Sequence, residues 1–414
     1  MPSYSIPLSG LDANSQALSI ISNNLANLNT VGYKAEQPLF QDLLYQQLGT
    51  DGAGDPLQTG QGTSVGAIST LNTQGSLQNT GAPTDVAIQG GGFFVVSKGG
   101  QQFYTRDGSF TLDTNGILTT ADGAQVQGYS AVKGVVSTNQ ALGSLAVPPG
   151  QINPPQASAN MQLRMNLDAS TAVNGQFQTS MTIYDTLGAA HVLTFQFTKT
   201  AANSWGYQIT IPATDVGTTG SPVVVNSGTL SFDGSGNLTA PTANVTGINV
   251  TGYADGAANS SLTWQILGAN GAPVITQVAG PSAVSATQQD GFSSGTLQSF
   301  TIGSDGTIQG TYSNGQTVAV GQVALASFAN LQGLVRTGDN NFQATLSSGA
   351  PIVGVPGSGG RGTLDGGSLE QSNVDIAQEF ANLIIAERGF EANSKALTTF
   401  DQVTQDALNL KATP

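Results

Sequence analysis

The chain contains no cysteine and only one histidine among its 414 residues. The first absence excludes disulfides, thiolate nucleophiles and zinc-thiolate sites, and leaves stability to packing alone. The second makes His191 the one residue through which a Ser-His-Asp device or an imidazole metal site could work. Basic residues are scarce too, eleven against twenty-five acidic ones, and none precedes Lys34. With a net charge of −14 there is no basic face to neutralise phosphates, and no nucleic acid is expected as a partner. A polybasic anchor for an anionic membrane is missing as well. No stretch approaches the ~18–20 apolar residues that a spanning helix needs, so no membrane insertion is expected. The opening residues lack the basic, apolar and small-residue segments of a secretory signal, and conventional export should find no address.

What is abundant is glycine, 54 residues, in a chain of which only 9% is charged. That composition suits a turn-rich β protein rather than a disordered acidic one, and the length suggests about two to four domains. Period-two alternation with Asn-Gly and Asp-Gly pairs at Asn115–Gly116, Asp107–Gly108 and Asp122–Gly123 predicts hairpins. A strand-turn-strand phrase recurs from Phe110 ("FTLDTNGILT"), Ser231 ("SFDGSGNLTA") and Thr301 ("TIGSDGTIQG"), and shared hairpin chemistry explains it better than duplication. Pro/Gly punctuation at Val147–Gln156 and Ala279–Gly291 brackets a segment holding both tryptophans, Trp205 and Trp264. The β style before this segment returns after it, which predicts one discontinuous domain interrupted by another. The expected fold is mainly β with α-helical termini: nested discontinuous β domains plus a coiled-coil helix pair from the two chain ends. The expected boundaries are 1–30 with 372–414 for the helices, 31–148 with 288–371 for a middle β domain with linker segments, and 149–287 for the insertion.

The helices follow from heptads. Leu11, Leu18 and Leu25 repeat at seven, with Asn14, Ile21 and Leu28 between them; Ser9 and Asp12 are spaced as a capping box, and Gly32 ends the element. Near the other end Ile376, Leu383, Phe390 and Leu397 repeat at seven, with Ala386, Asn393, Phe400 and Ala407 between, and Ser372 with Asp375 are spaced as a cap. Gly389 is the weak point, at roughly 1 kcal/mol against alanine. Two helices alone bury little apolar area against the entropy of ordering them, so neighbouring chains are expected to cover the rest of both seams. The predicted polymer interface is therefore Leu11, Leu18, Ile21, Leu25, Leu28, Ile376, Leu383, Phe390, Leu397 and Phe400, with Asn14 and Asn393 setting register. Head-to-tail contact that does not close into a ring builds a helical filament.

Other motifs carry little chemistry. "GSGGRG", Gly357 to Gly362, matches a dinucleotide fingerprint literally, but "TLDGGSLEQ" after it does not open a helix, and a flexible linker to the C-terminal helix is expected instead. His191 in "AAHVLTFQF" is expected at a strand surface. Asp233 and Asp305 fall in turns, where aspartate bonds local backbone. Phe93, Phe94, Phe103, Tyr104 and Phe110 read as a sandwich or barrel core. No catalytic, cofactor-binding or metal residue is nominated.

The opening "SGLDANSQALSIISNNLANLNTVGYK", the central "DVAIQGGGFFVV" with "YTRDGSFTLDTNGILTTADG", and the closing "SNVDIAQEFANLIIAERGFEANSKALTTFDQVTQDALNLK" resemble three signatures of the bacterial flagellar rod and hook protein family. "GQVALASFANLQGLVRTGDNNFQATLSSGAP" resembles the hook branch, while Gln151 to Gly280 is least like the family. The resemblance implies a structural subunit rather than an enzyme, and a flexible extracellular tube acting as a universal joint between motor and filament. It implies export through the flagellar type III apparatus, a homopolymer of many copies, and contacts with distal rod, hook cap and hook-filament junction proteins. The terminal helices would line the tube, the flanking β domain would form the middle layer and the insertion would face outward. A distal rod-type subunit is the alternative within the family, and a surface adhesin or glycan-binding β protein the alternative outside it.

Overall fold

A computed structural model describes residues 4–50 and 53–411. It is mainly β, with one long helix near each end, α1 (Ser5–Ala26) and α2 (Ile376–Lys411). The chain divides into two compact units: residues 1–149, 299–310 and 317–414 form the first, and residues 150–298 with 311–316 form the second.

In the first unit, consecutive hydrogen-bonded neighbours in the main sheet are strands 317–323, 125–132, 93–98, 101–105, 341–343 and 335–338. The hairpin 93–98/101–105 turns on Gly99 and Gly100, both at positive φ, where a side chain would be strained. On one side Phe93, Val95, Tyr104, Ala326 and Phe342 form a buried cluster, and the ring of Phe93 meets Phe328 and Phe342 edge-on. Phe94 and Phe110 are also buried and meet edge-on at 5.0 Å, so four of the five predicted aromatics are core and Phe103 is half-buried. Smaller ribbons complete the unit: 36–42 with 63–70, 46–50 with 56–59, 86–89 with 363–366, and 77–79 with 368–370. The last two pair an early strand with one just before α2, and so tie both chain ends into one root.

The "GSGGRG" stretch is not a linker running into a helix. It closes a turn in which Gly357 donates to the Gly362 carbonyl and Arg361 donates to Ser358 Oγ and the Val355 carbonyl, and strands 363–366 and 368–370 follow before α2 begins. A nucleotide cradle needs a helix there, and none exists.

The second unit is built on two sheets. One is an antiparallel meander, 176–184, 190–201, 204–211, 223–232 and 238–240 in chain order; the other centres on strand 160–166, which pairs with 260–264, 275–276 and 283–289. Strand 190–201 alternates buried and open residues, as a half-buried strand must. Trp264 sits fully buried with Phe195 at 5.4 Å and Tyr207 at 5.2 Å, and Trp205 donates to Gln277 Oε1. Rings of this size dominate the burial term of a small sandwich, at about 1.5–3 kcal/mol for each fully buried large apolar side chain.

The three recurring turn phrases share one chemistry. Asp113 and Asp233 each accept backbone N–H bonds from the second and fourth residues onward, Asp305 accepts from Thr307, and Gly116, Gly236 and Gly306 lie at positive φ.

Candidate functional site

The terminal helices pack antiparallel. Tyr4 at the start of α1 meets Phe400 edge-on and bonds Thr404, while Asn24 near its end bonds Glu379 near the start of α2. Helix α1 begins at Ser5, earlier than the Ser9/Asp12 spacing suggests, because Ser9 is spent elsewhere: its hydroxyl donates to the Ile6 carbonyl and accepts from Thr63 N–H on the 63–70 strand. At α2 the cap is Asp375 rather than Ser372, with Asp375 Oδ1 accepting from Ala377 and Gln378 N–H. Helix α1 stops at Ala26 and the chain turns through Gly32, at φ +68, whose N–H bonds the Glu370 carbonyl.

The buried stripe of α1 is Pro7, Gly10, Ala13, Ala17, Ile20, Ile21 and Asn24. It lies one position to the side of the leucines at 11, 18 and 25, and its members are mostly small. Small residues let two backbones approach closely, and the leucines then flank the contact instead of filling it. The closest approach is reciprocal. A Cβ on Gly10 would lie 2.7 Å from Asn393 Oδ1, and one on Gly389 would lie 2.6 Å from Asn14 Oδ1. Each asparagine also donates back to its own helix one turn earlier, Asn14 to the Gly10 carbonyl and Asn393 to the Gly389 carbonyl. Each glycine is thus the socket for the other helix's asparagine. Gly389, a weak point by propensity, is required by contact.

The ten predicted interface residues divide by this geometry. Ile21 is buried, and with Ala17 and Ala386 it forms a small core onto which Leu18, Leu25 and Leu383 pack. Leu28 packs on Tyr33, Ala35 and Val374. Leu11 and Leu397 are half-buried, Phe400 is half-buried against Tyr4, and Ile376 and Phe390 are exposed, at 47% and 39%. Sequence reasoning passed over Phe380, Ile384 and Ile385, which are 52%, 55% and 69% exposed. Ile376, Phe380 and Ile384 recur at four, so α2 has a second, exposed apolar stripe outside the cluster it shares with α1; the four-residue spacing alongside the heptad was the available signal.

Below the helix pair lies a polar root that sequence spacing could not show. Glu370, fully buried, accepts from Lys34 Nζ at 2.6 Å, Arg106 Nη1 at 3.2 Å and Gly75 N–H at 2.9 Å. Lys34 also donates to the Thr73 carbonyl and Arg106 to the Gly90 carbonyl. Burial pushes the Lys34 ammonium and the Arg106 guanidinium below their usual ranges, against the pull of Glu370. Beside it, Asn24 holds α1 to the next strand, accepting from Glu36 N–H and donating to the Glu36 carbonyl.

In the second unit His191 is buried, which corrects its expected place on a strand surface. Its ring sits between Asp215 (Nδ1 to Oδ2, 3.0 Å) and Asp185 (Nε2 to Oδ2, 3.1 Å), with Tyr253 packed at 4.6 Å. Its phase was legible: 191, 193, 195 and 197 share the inward face. Asp185, His191 and Asp255 bring ligand-type atoms within 4.8 Å of one another, and both ring nitrogens of His191 face carboxylates, which makes the cluster an ion-paired clasp. Burial presses the imidazole pKa down, and the hydrogen bonds to Asp185 and Asp215 outweigh it, so the net direction is upward. The folded chain thus holds this proton more tightly than the unfolded one, whose histidine titrates near ~6.5. The added stability is present in full below that pH and is lost as pH rises through the folded value. The second unit should accordingly melt at lower temperature at pH 9 than at pH 6, and His191→Gln should flatten that slope; a slope unchanged in the variant would remove His191 as its source.

Four family models match the chain: Flagella basal body rod protein over residues 7–34, Flagellar hook protein FlgE/F/G D1 domain over 87–169, Flagellar basal body protein FlaE D2 domain over 155–292, and Flagellar basal body rod FlgEFG protein C-terminal over 365–410. Among curated relatives, the flagellar hook protein FlgE of Treponema pallidum is 33% identical over 98% of both chains. That of Borreliella burgdorferi is 32% identical over 98% of both, and that of Salmonella typhimurium is 34% identical over 99% of this chain and all of its own. The crystal structure of the Helicobacter pylori flagellar hook protein FlgE2 has a similar fold, with a TM-score of 0.54 at 15% identity, covering 71% of this chain and all of that one.

Proposed function

Because this chain belongs to the flagellar hook protein family and is a structural subunit of the extracellular hook, we propose that its α1–α2 pair carries the contacts by which copies build a flexible tube. The observation that supports this reading is the second apolar face of α2. One face is covered by α1, whereas Ile376, Phe380 and Ile384 stand open in the single chain. Apolar stripes of that kind mark association surfaces. Leu11, Leu18, Leu25, Leu28, Leu383, Phe390, Leu397 and Phe400 add their uncovered edges, and Ile21 holds the pair together from within.

In this reading residues 1–30 and 372–414 line the tube, 31–148 and 288–371 form the middle layer, and 149–287 face outward. Tight burial at the centre transmits torque, while outer strands rich in Thr, Ser and Asn exchange contacts that each contribute little, so that the tube bends as a universal joint. The subunit is a polymeric flagellar component assembled with basal body proteins; the distal rod, the hook cap, the hook-filament junction and the type III export apparatus are its proposed specific partners.

Ile384→Asp tests the open face alone. The variant should keep the monomer's circular dichroism and melting, and should form no tubes by electron microscopy. Leu383→Asp should block tubes as well, and should also loosen the pair. Tubes of normal appearance from Ile384→Asp would overturn the assignment.

A further inference from the structure

A groove of about 440 Å³ opens between α1, α2 and the strand 36–42. Its lining is mixed: apolar side chains, among them Ala17, Pro38, Phe40 and Ile385, alternate with amides such as Asn14, Gln378 and Asn382, and its acids are Glu36, Asp375 and Glu379. Glu36 is already paired with Arg336 at 3.0 Å, and Asp375 caps α2. Glu379 is different. It is 8% exposed, its Oε1 accepts from Asn24, and its Oε2 is buried with no hydrogen-bond partner among the described residues. A buried carboxylate oxygen without a partner carries a desolvation penalty that a donor would relieve.

A groove with apolar patches, acids and no cation in its lining fits a long cationic side chain, whose methylenes bury along Pro38, Phe40 and Ile385 while its head approaches the carboxylate. Helix α1 has no basic residue. On α2, Arg388 is paired with Glu391 at 2.9 Å, and Lys395 is exposed with no ion pair among the described residues. Lys395 lies sixteen residues beyond Glu379 on a continuous helix, a separation of about 24 Å at the α-helical rise, which a lysine cannot bridge. Neither helix therefore supplies Glu379 with a cation from within the same chain.

We propose that this groove receives the Lys395 side chain of a second copy of the chain, and that its ammonium pairs with Glu379. The inference rests on the polymer reading above and adds one specific contact to it. Burial, helped by Asp375, raises the Glu379 pKa in the isolated chain, as expected for a carboxyl still lacking its counter-charge.

The chain's lack of cysteine gives a clean test. Thr399→Cys, one turn from Lys395, and Gln378→Cys, at the groove, are made separately, mixed, grown into tubes with excess unmodified protein, and treated with a short bis-maleimide. A covalent dimer of one copy of each variant is expected from tubes and not from dilute monomer. In parallel, Lys395→Gln should raise the critical concentration for tube growth at least about tenfold and Lys395→Arg should restore most of it. Adding Glu379→Gln to Lys395→Gln should cost nothing further. Tubes that incorporate both thiol variants without cross-linking, or that grow from Lys395→Gln at the original concentration, would overturn the contact while leaving the polymer reading intact. Failure of the unmodified protein to form tubes at all would overturn both.

Discussion

Replacing Glu370 with alanine should destabilise the first unit by about 3–5 kcal/mol, the usual penalty for removing one member of a buried ion pair. Two cations depend on this carboxylate, Lys34 and Arg106, and both have side chains almost completely out of water. Neither can reach solvent without breaking its bonds to the Thr73 and Gly90 carbonyls. The Gly75 N–H would lose its acceptor as well. In urea, the first unit should unfold at a clearly lower midpoint while the second unit's transition stays in place. Apolar residues of similar volume at 34, 106 and 370 together should recover much of the loss, because the penalty lies in unpaired charge rather than missing mass. A Glu370→Ala protein with an unshifted midpoint would mean that water already reaches the site.

Gly389→Leu should separate the helix pair and abolish assembly. A Cβ already meets Asn14 at 2.6 Å, and a larger side chain has to push the helices apart, which costs about 1–3 kcal/mol in overpacking and also removes the helix-helix contact itself. Gly389→Ala separates the two effects. Alanine favours the helix by roughly 1 kcal/mol, yet it displaces the Asn14 side chain. In an Asn14→Ala background that obstacle is gone, so the same Gly389→Ala change should become stabilising. The reversal of sign, measured by thermal melts of the four proteins in a double-mutant cycle, identifies the contact. Equal effects in both backgrounds would show that Asn14 does not occupy the glycine socket.

Much of the fold was legible because it rests on local patterns. Period-two alternation and Gly turns mark the strands, and seven-residue apolar repeats mark both helices, independent of what packs on them. What failed to show was closeness. Leu11, Leu18 and Leu25 carry the strongest apolar signal on α1, yet the buried stripe runs through Gly10, Ala17 and Asn24, because a tight helix pair selects for small size and not for apolar mass. The Lys34–Glu370 pair joins residues 336 positions apart, and no local pattern predicts it. His191 lay between these cases: its parity placed it facing inward, but its two aspartate partners come from a hairpin loop and from the short 3-10 helix Ala213–Val216.

The paired sockets of Gly10 and Gly389 admit one alignment of the two helices. Sliding either helix by a turn sets an asparagine against a larger neighbour and empties both pockets. Every copy of the chain therefore carries a helix pair of the same length. A change in the length of that pair would have to unseat both asparagines at once.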